Sequence, residues 1–141
     1  MQIRNIAVIE DNDNASKNIF ELIEKYQQEH QVQLNVIRFN NADDFLNNYQ
    51  EIYSVVLMDI QLPGIDGMSA AYKLREMDKT VSIIFITTMV QFAQKGYEVN
   101  AVSFMVKPVS YYDFSLKFKK ALDIAIMNEN RNIFKKYHII I

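Results

Sequence analysis

The sequence of residues 55–67 is Val55-Val56-Leu57-Met58-Asp59-Ile60-Gln61-Leu62-Pro63-Gly64-Ile65-Asp66-Gly67. Its first four residues are apolar and partly β-branched, which is typical of a buried strand in a parallel sheet. Asp59 ends this run, and a Pro-Gly turn follows it. Ligands of open α/β sheets collect outside the carboxyl ends of the strands, so Asp59 lies where functional groups are expected.

Apolar runs and helix-like segments alternate along the whole chain. Besides residues 55–58, short apolar runs occur at residues 6–9, 34–39, 81–87 and 103–106. Strands that alternate with helices predict a parallel sheet with helices on both faces. We therefore expect a doubly wound (βα)5 fold with a five-stranded sheet.

Helical periodicity is clearest in the first and last connections. Residues 19, 22, 23 and 26 are apolar at helical spacing, and Asn12 or Asn14 is available as the cap of that helix. A closing helix is predicted from about Tyr111 to about Glu129 because its apolar residues also follow a helical period. Shorter helices are predicted at residues 41–48, 68–77 and 90–97.

Composition limits the classes of function. The 141 residues fit one domain, and the net charge of −2 gives no general attraction to a nucleic-acid backbone. Any DNA contact would therefore need another domain. The absence of cysteine excludes disulfides and thiolate metal sites. No apolar run approaches the roughly 18 residues of a membrane span, so we expect a soluble, cytoplasmic protein without membrane contact.

Charged and hydroxyl side chains follow the predicted strands. The first strand leads into Glu10 and Asp11, the third into Asp59, the fourth into Thr87, and the fifth into Lys107. These residues should meet at one edge because the carboxyl ends of parallel strands lie together. Carboxylates that converge repel one another unless a cation compensates, and Mg²⁺ prefers such hard oxygen ligands. The sequence predicts a divalent metal site at this edge.

The predicted chemistry is phosphoryl transfer to Asp59. A carboxylate can form an acyl phosphate when its partners stabilise the transferring oxygens. Mg²⁺, the Lys107 ammonium and the Thr87 hydroxyl are the groups available for this. Taken singly, each of these residues has an ordinary structural explanation, and only their order and spacing together indicate a site.

The order and spacing closely resemble those of receiver domains of two-component response regulators. The matching segments are residues 8–12, 57–67, 85–88 and 104–108, and the resemblance covers residues 1 to about 128. It implies a flavodoxin-like receiver fold with strand order 2-1-3-4-5. It also implies a receiver (phosphoacceptor) domain at residues 1–128 whose partner is a sensor histidine kinase.

The resemblance assigns roles to the site residues. Asp59 would accept a phosphoryl group from a kinase histidine. Asp11, Asp59 and the backbone carbonyl of Gln61 would hold Mg²⁺ or Mn²⁺, and Glu10 would assist through water. By the same resemblance, Thr87 and Lys107 would bind the phosphoryl oxygens, which makes them catalytic residues although the protein is not a conventional enzyme.

A conformational switch is also implied. In this family phosphorylation draws the threonine, here Thr87, inward and rotates an aromatic residue, here Phe104. The alternative for Phe104 is plain core packing. A homodimer through the fourth helix, fifth strand and fifth helix is a further family expectation.

Residues 97–109 further resemble receivers joined to LytTR-type DNA-binding domains. This implies a transcriptional regulator that binds DNA through a C-terminal domain absent from the chain. Residues 129–141 are then expected to be a linker or the start of that effector domain, because a polar stretch leads into three terminal isoleucines.

Other functions remain open from sequence. One alternative is a receiver-like interaction module that acts without phosphorylation, and another is a phosphohydrolase that uses Asp11 and Asp13. A flavin-binding protein is disfavoured because the first turn is acidic where a phosphate-binding loop needs amide donors. Gln61 and Thr88 are bulkier than the residues often found beside the acceptor, so we expect slow self-dephosphorylation.

Overall fold

The computed structural model describes residues 2–136, which form a five-stranded parallel sheet. The strands are β1 (Arg4–Ile9), β2 (Leu34–Phe39), β3 (Tyr53–Met58), β4 (Ser82–Thr87) and β5 (Ser103–Val106). Their order is β2-β1-β3-β4-β5. This confirms the predicted doubly wound fold and its strand order.

Helical segments connect the strands and follow the last one. They are α1 (Asp13–His30), α2 (Ala42–Leu46), α3 (Gly67–Met77), a 3-10 segment (Val90–Val99) and α4 (Tyr111–Lys136). Asn12 caps α1, since its side chain accepts a hydrogen bond from the Ala15 amide. Even α4, the longest helix, is not apolar enough to cross a membrane, and neither is any other helix within residues 2–136.

Two helical segments differ from the sequence prediction. Residues 90–99 form a 3-10 rather than an α-helix, and Gly96 lowers the α-helical preference of this segment. Helix α4 reaches Lys136 instead of ending near Glu129. No glycine or proline interrupts residues 129–136, and an ion pair of 2.6 Å between Arg4 and Glu129 holds this turn to β1. Residues 137–141, which include the three isoleucines at the expected start of an effector domain, lie outside the described residues.

Both faces of the sheet are covered, so the inner strands are largely buried. Val56 and Met58 pack against α2, α3 and the 3-10 segment, whereas Val55 and Leu57 pack against α1 and α4. All residues of β4 are buried, as expected for a central strand between two helical layers. Burial of each large apolar side chain contributes about 2 kcal/mol, which fixes the strand ends that carry the polar residues.

The register brings the strand ends level at the carboxyl edge. Ile9 pairs with Met58, and Thr87 pairs with Val106. The ladder continues one residue further, because the Asp59 amide donates to the Ile9 carbonyl at 3.1 Å and the Lys107 amide to the Thr87 carbonyl at 3.1 Å. The residues that follow the strands therefore emerge side by side.

Candidate functional site

Asp59 is placed by backbone contacts on two sides. Its amide continues the β1–β3 ladder, and its side chain is only 7% exposed. On the other side α3 begins at Gly67, where a Cβ atom would lie 2.0 Å from the Asp59 carbonyl oxygen. Only glycine permits this close approach. No role for Gly67 was predicted from the sequence, although a glycine directly after the turn could have indicated such a close approach.

An ion cluster forms around the Lys107 ammonium. Its Nζ lies 2.7 Å from Asp59 Oδ2 and 2.5 Å from Glu10 Oε1. The Gln61 amide donates to Asp59 Oδ1 at 3.2 Å, and the Asn12 amide donates to Glu10 Oε2 at 3.1 Å. The structure thus brings together three of the residues identified from sequence: Glu10, Asp59 and Lys107.

The cluster contains two carboxyl groups and one ammonium. Burial raises the pKa of the Glu10 carboxyl, although Lys107 and the Asn12 amide oppose this shift. Burial alone would lower the pKa of the Lys107 ammonium, but the hydrogen bonds to Asp59 and Glu10 outweigh it, so that pKa is raised. Lys107 therefore stays charged and is shared by two carboxyl groups. Such a site favours the binding of a further cation.

Thr87 and Asp11 lie at the same edge but outside this cluster. Thr87 is fully buried, and its hydroxyl accepts a hydrogen bond of 3.2 Å from the Met89 amide. The Asp11 side chain is exposed. Within residues 2–136, no group of three or more His, Cys, Asp or Glu side chains is arranged to hold a metal ion. The structure therefore joins Thr87 and Asp11 to the site only through the backbone.

The donor set nevertheless fits Mg²⁺. This ion keeps several waters and usually takes only one or two protein carboxylates, so three clustered acids are not required. Asp59 Oδ1 accepts one hydrogen bond, from the Gln61 amide, and Asp11 lies in the turn that follows β1. The Gln61 residue, whose amide contacts Asp59, is exposed at the rim. These oxygens match the hard-ligand preference of Mg²⁺ or Mn²⁺.

Phe104 lies on β5, the edge strand beside β4. It is half-buried, and its ring centroid is 6.2 Å from that of Phe85. Its carbonyl oxygen accepts a hydrogen bond of 3.0 Å from the Lys117 ammonium. Phe104 therefore packs on the core face that also contains Met58, the residue before Asp59.

Arg38 is the site neighbour that the sequence analysis missed. It lies on β2 opposite Val8 of β1, and its guanidinium contacts the carbonyl oxygens of Glu10 and Asp11. An ion pair of 2.9 Å also joins Arg38 to Asp13. Asp13 belongs to the first turn of α1, which disfavours its use as the acid of a phosphohydrolase. An arginine at the end of a strand beside an acidic turn was the signal for this contact.

Comparison with relatives of known sequence identifies the type of domain. Residues 6–118 match the model of the response regulator receiver domain. The positive alginate biosynthesis regulatory protein of Pseudomonas aeruginosa is 40% identical over 67 residues, which cover 48% of this chain and 27% of that protein. The sensory transduction protein LytT of Oceanobacillus iheyensis is 35% identical over 83 residues, covering 57% of this chain and 34% of that protein. The matches thus span about a third or less of these relatives.

Solved structures show the same fold. A putative response regulator from Chloroflexus aurantiacus superposes with a TM-score of 0.76 at 20% identity, covering 86% of this chain and 99% of that one. The response regulatory domain of protein mrkE from Klebsiella pneumoniae gives 0.75 at 20% identity, with 87% and 98% covered. Fold and sequence match the same domain type, and the chain belongs to the response regulator receiver domains of two-component systems.

Proposed function

We propose that Asp59 accepts a phosphoryl group from a histidine of a sensor kinase, in a reaction that requires Mg²⁺ or Mn²⁺. The observation that supports this most is the Asp59 carboxylate itself. It is nearly buried, and Lys107, its cationic partner among the described residues, also binds Glu10. Lys107 and the Gln61 amide orient this carboxylate, and a carboxylate oxygen can attack the phosphorus of a phosphoryl donor.

The transfer step needs little from the protein beyond orientation and charge. An oxygen of Asp59 forms a bond to phosphorus while the phosphorus–nitrogen bond to the donor histidine breaks, and the nitrogen keeps that electron pair. Lys107 stabilises negative charge on the phosphoryl oxygens. Mg²⁺, held by Asp11, Asp59 and the Gln61 carbonyl with Glu10 assisting through water, would supply further positive charge to those oxygens.

The same chemistry offers a switch through Thr87. Phosphorylation adds negative charge and strong acceptor oxygens beside a hydroxyl that now accepts from the Met89 amide. Turning Thr87 toward the phosphoryl group removes that acceptor from Met89, the residue that precedes the 3-10 segment. Phe104, packed on Phe85 of the same strand as Thr87, would follow this movement.

The output of the switch would lie outside the described domain. We propose that residues 1–128 are the receiver and that residues 129–141 lead into a C-terminal effector, which would bind DNA as part of a transcriptional regulator. The regulatory names of the relatives support this, as does the extent of the matches, which cover only part of their length. The reaction would occur in the cytoplasm, where ATP is available to a histidine kinase.

A homodimer is the proposed form of the activated domain. Large apolar side chains are exposed on three neighbouring elements, the 3-10 segment, β5 and the start of α4: Tyr97, Val106, Tyr112 and Leu116. Exposed apolar groups of this kind favour association with a complementary surface.

Intact mass spectrometry tests the acceptor. We expect a gain of ~80 Da, one phosphoryl group, after incubation with acetyl phosphate and Mg²⁺. The gain should disappear in Asp59→Asn and in the presence of EDTA. If neither acetyl phosphate nor a histidine kinase domain produces it, the phosphorylation-independent interaction module becomes the better description.

A further inference from the structure

We propose that Arg38 is a positioning residue of the metal site, which orients the Asp11 carboxylate by holding the backbone of the β1–α1 turn. This inference rests on the proposed function, because the metal it concerns serves phosphorylation of Asp59. Arg38 touches no reacting atom. Its effect would pass through the turn that carries Glu10 and Asp11.

The guanidinium contacts two backbone oxygens of the turn and the side chain of Asp13, the first residue of α1. Nε donates to the Glu10 carbonyl oxygen at 3.1 Å, and Nη2 donates to the Asp11 carbonyl oxygen at 3.3 Å. Nη1 lies 2.9 Å from Asp13 Oδ1. Because guanidinium is planar and rigid, these contacts fix the directions of two successive peptide groups. The register of Arg38 opposite Val8 places it beside the end of β1.

Asp11 depends on this backbone for its orientation. Its carboxylate is exposed and has no hydrogen-bond partner among residues 2–136. The turn is held on its other side by Asn12, whose amide donates to Glu10 Oε2 at 3.1 Å and whose side chain caps α1. Arg38 and Asn12 together therefore fix the direction in which the Asp11 side chain leaves the backbone, and with it the region that its carboxylate can reach.

Charge and orientation act on metal affinity in opposite directions. The positive guanidinium repels a cation, whereas an ordered turn removes the entropy cost of bringing Asp11 to the metal. Arg38 is 27% exposed and is paired with Asp13, which is 90% exposed, so its charge is screened by solvent and partner. Orientation should dominate. Residues that orient metal ligands typically change metal affinity about 10- to 100-fold when they are replaced.

Magnesium affinity measured by calorimetry, without any phosphoryl donor, tests this inference on the full chain. We expect Arg38→Met to raise the Kd for Mg²⁺ about tenfold, because it removes the donors but keeps an apolar stem. Arg38→Lys, which keeps the charge but loses the planar fork, should lie between Met and wild type. Asp13→Asn is the matched control that removes only the exposed ion pair, and its Kd should stay within about twofold of wild type.

The direction of the change decides the outcome. An Arg38→Met protein that binds Mg²⁺ as tightly as wild type, or more tightly, would overturn the inference. Circular dichroism establishes that each variant is folded, and Arg38→Lys carries the test if Arg38→Met does not fold. A change in Asp13→Asn equal to that in Arg38→Met would also overturn it, since the ion pair alone would then explain the effect.

A kinetic measurement adds a readout that a purely structural role would not move. With acetyl phosphate as donor, Arg38→Met should need about tenfold more Mg²⁺ for half-maximal phosphorylation yet reach the wild-type maximal rate. A lower maximal rate at an unchanged Mg²⁺ requirement would contradict positioning. If wild type binds Mg²⁺ but is never phosphorylated, the proposed function fails, and the difference in Kd still tests Arg38.

Discussion

Two buried aspartates at opposite edges of the sheet have different surroundings. Asp78, which follows α3 at the amino edge, is 3% exposed, and Asp59 at the carboxyl edge is 7% exposed. Asp78 accepts hydrogen bonds from the Tyr49 hydroxyl at 2.7 Å and from the Thr80 and Val81 amides at 3.0 and 3.1 Å. Asp59 has one amide donor and an ammonium that Glu10 also uses.

The partners, and not the degree of burial, distinguish these two carboxylates. The amides of Thr80 and Val81 and the hydroxyl of Tyr49, all neutral donors, satisfy Asp78. Burial and the hydrogen bond to Asp78 raise the pKa of the Tyr49 hydroxyl. Asp78 therefore needs nothing from outside the chain. Asp59 lies in a cluster of two carboxyl groups that share one ammonium, where a bound metal ion would reduce the repulsion between the carboxyl groups.

Substitution of each aspartate by alanine should give the largest difference in stability between the two positions. We expect Asp78→Ala to lower the free energy of unfolding by about 3 kcal/mol, because the Tyr49 hydroxyl and two amides lose their acceptor. Asp59→Ala should cost about 1 kcal/mol or less, because it also relieves repulsion with Glu10. Urea denaturation near neutral pH measures both.

The exposed Asp123 provides the control for these variants. It pairs with Lys119 at 2.8 Å on the surface of α4, and Asp123→Ala should change the free energy of unfolding by at most about 0.5 kcal/mol. Equal losses at positions 59 and 78 would contradict the distinction between the two carboxylates.

Removal of the shared ammonium should make stability depend on pH. Lys107→Met leaves Glu10 and Asp59 without a cation, which should cost about 2 kcal/mol near pH 8. The pKa of Glu10 is already raised in the folded protein. The folded state then holds a proton that the unfolded state has released, so stability falls as pH rises through the folded value. The loss should therefore shrink toward about pH 5.

Lys117 is the matched control for this variant. It bonds to Asp113 and to the Phe104 carbonyl but contacts neither buried carboxylate. Lys117→Met should give a small loss of stability that does not change over the same pH range. A constant loss in Lys107→Met across that range would show that the two carboxylates do not share the lysine as described.

The smallest expected effect concerns the lifetime of the phosphoryl group on Asp59. Gln61 and Thr88 are both exposed at the rim of the site, where they can hinder an attacking water. We expect Gln61→Gly combined with Thr88→Ala to speed dephosphorylation about tenfold, equivalent to about 1.4 kcal/mol in the barrier. The decay is measured by intact mass over time. Gln28→Ala, on the exposed face of α1, should leave it unchanged, and an unchanged decay in the double variant would reject this role.

The sequence was sufficient to predict the five-stranded sheet and the edge at which the polar residues lie. Apolar runs identified all five strands, and parallel topology then placed Glu10, Asp59 and Lys107 at one edge. Their mutual contacts were not accessible, because Lys107 lies 48 residues from Asp59 and 97 from Glu10. Which carboxylates share its ammonium depends on side-chain packing that periodicity does not contain.

Predictions from local sequence patterns also failed to identify three features of the structure. Residues 90–99 have a helical pattern, but the sequence did not reveal their 3-10 geometry around Gly96. Helix α4 extends past Glu129, and Arg4, far away in the chain, forms an ion pair with Glu129. Arg38 donates to the backbone carbonyl oxygens of Glu10 and Asp11, and its place on β2 beside the acidic turn did not reveal which atoms it contacts.

Chemical trapping of the acyl phosphate tests the central claim most directly. After incubation with acetyl phosphate and Mg²⁺, borohydride reduces an aspartyl phosphate to homoserine, and peptide mass mapping locates it. We expect homoserine at position 59 alone, with Asp11, Asp13 and Asp78 unchanged. Homoserine at Asp11 or Asp13, or at no position despite a gain in intact mass, would contradict the assignment of Asp59 as the phosphoryl acceptor.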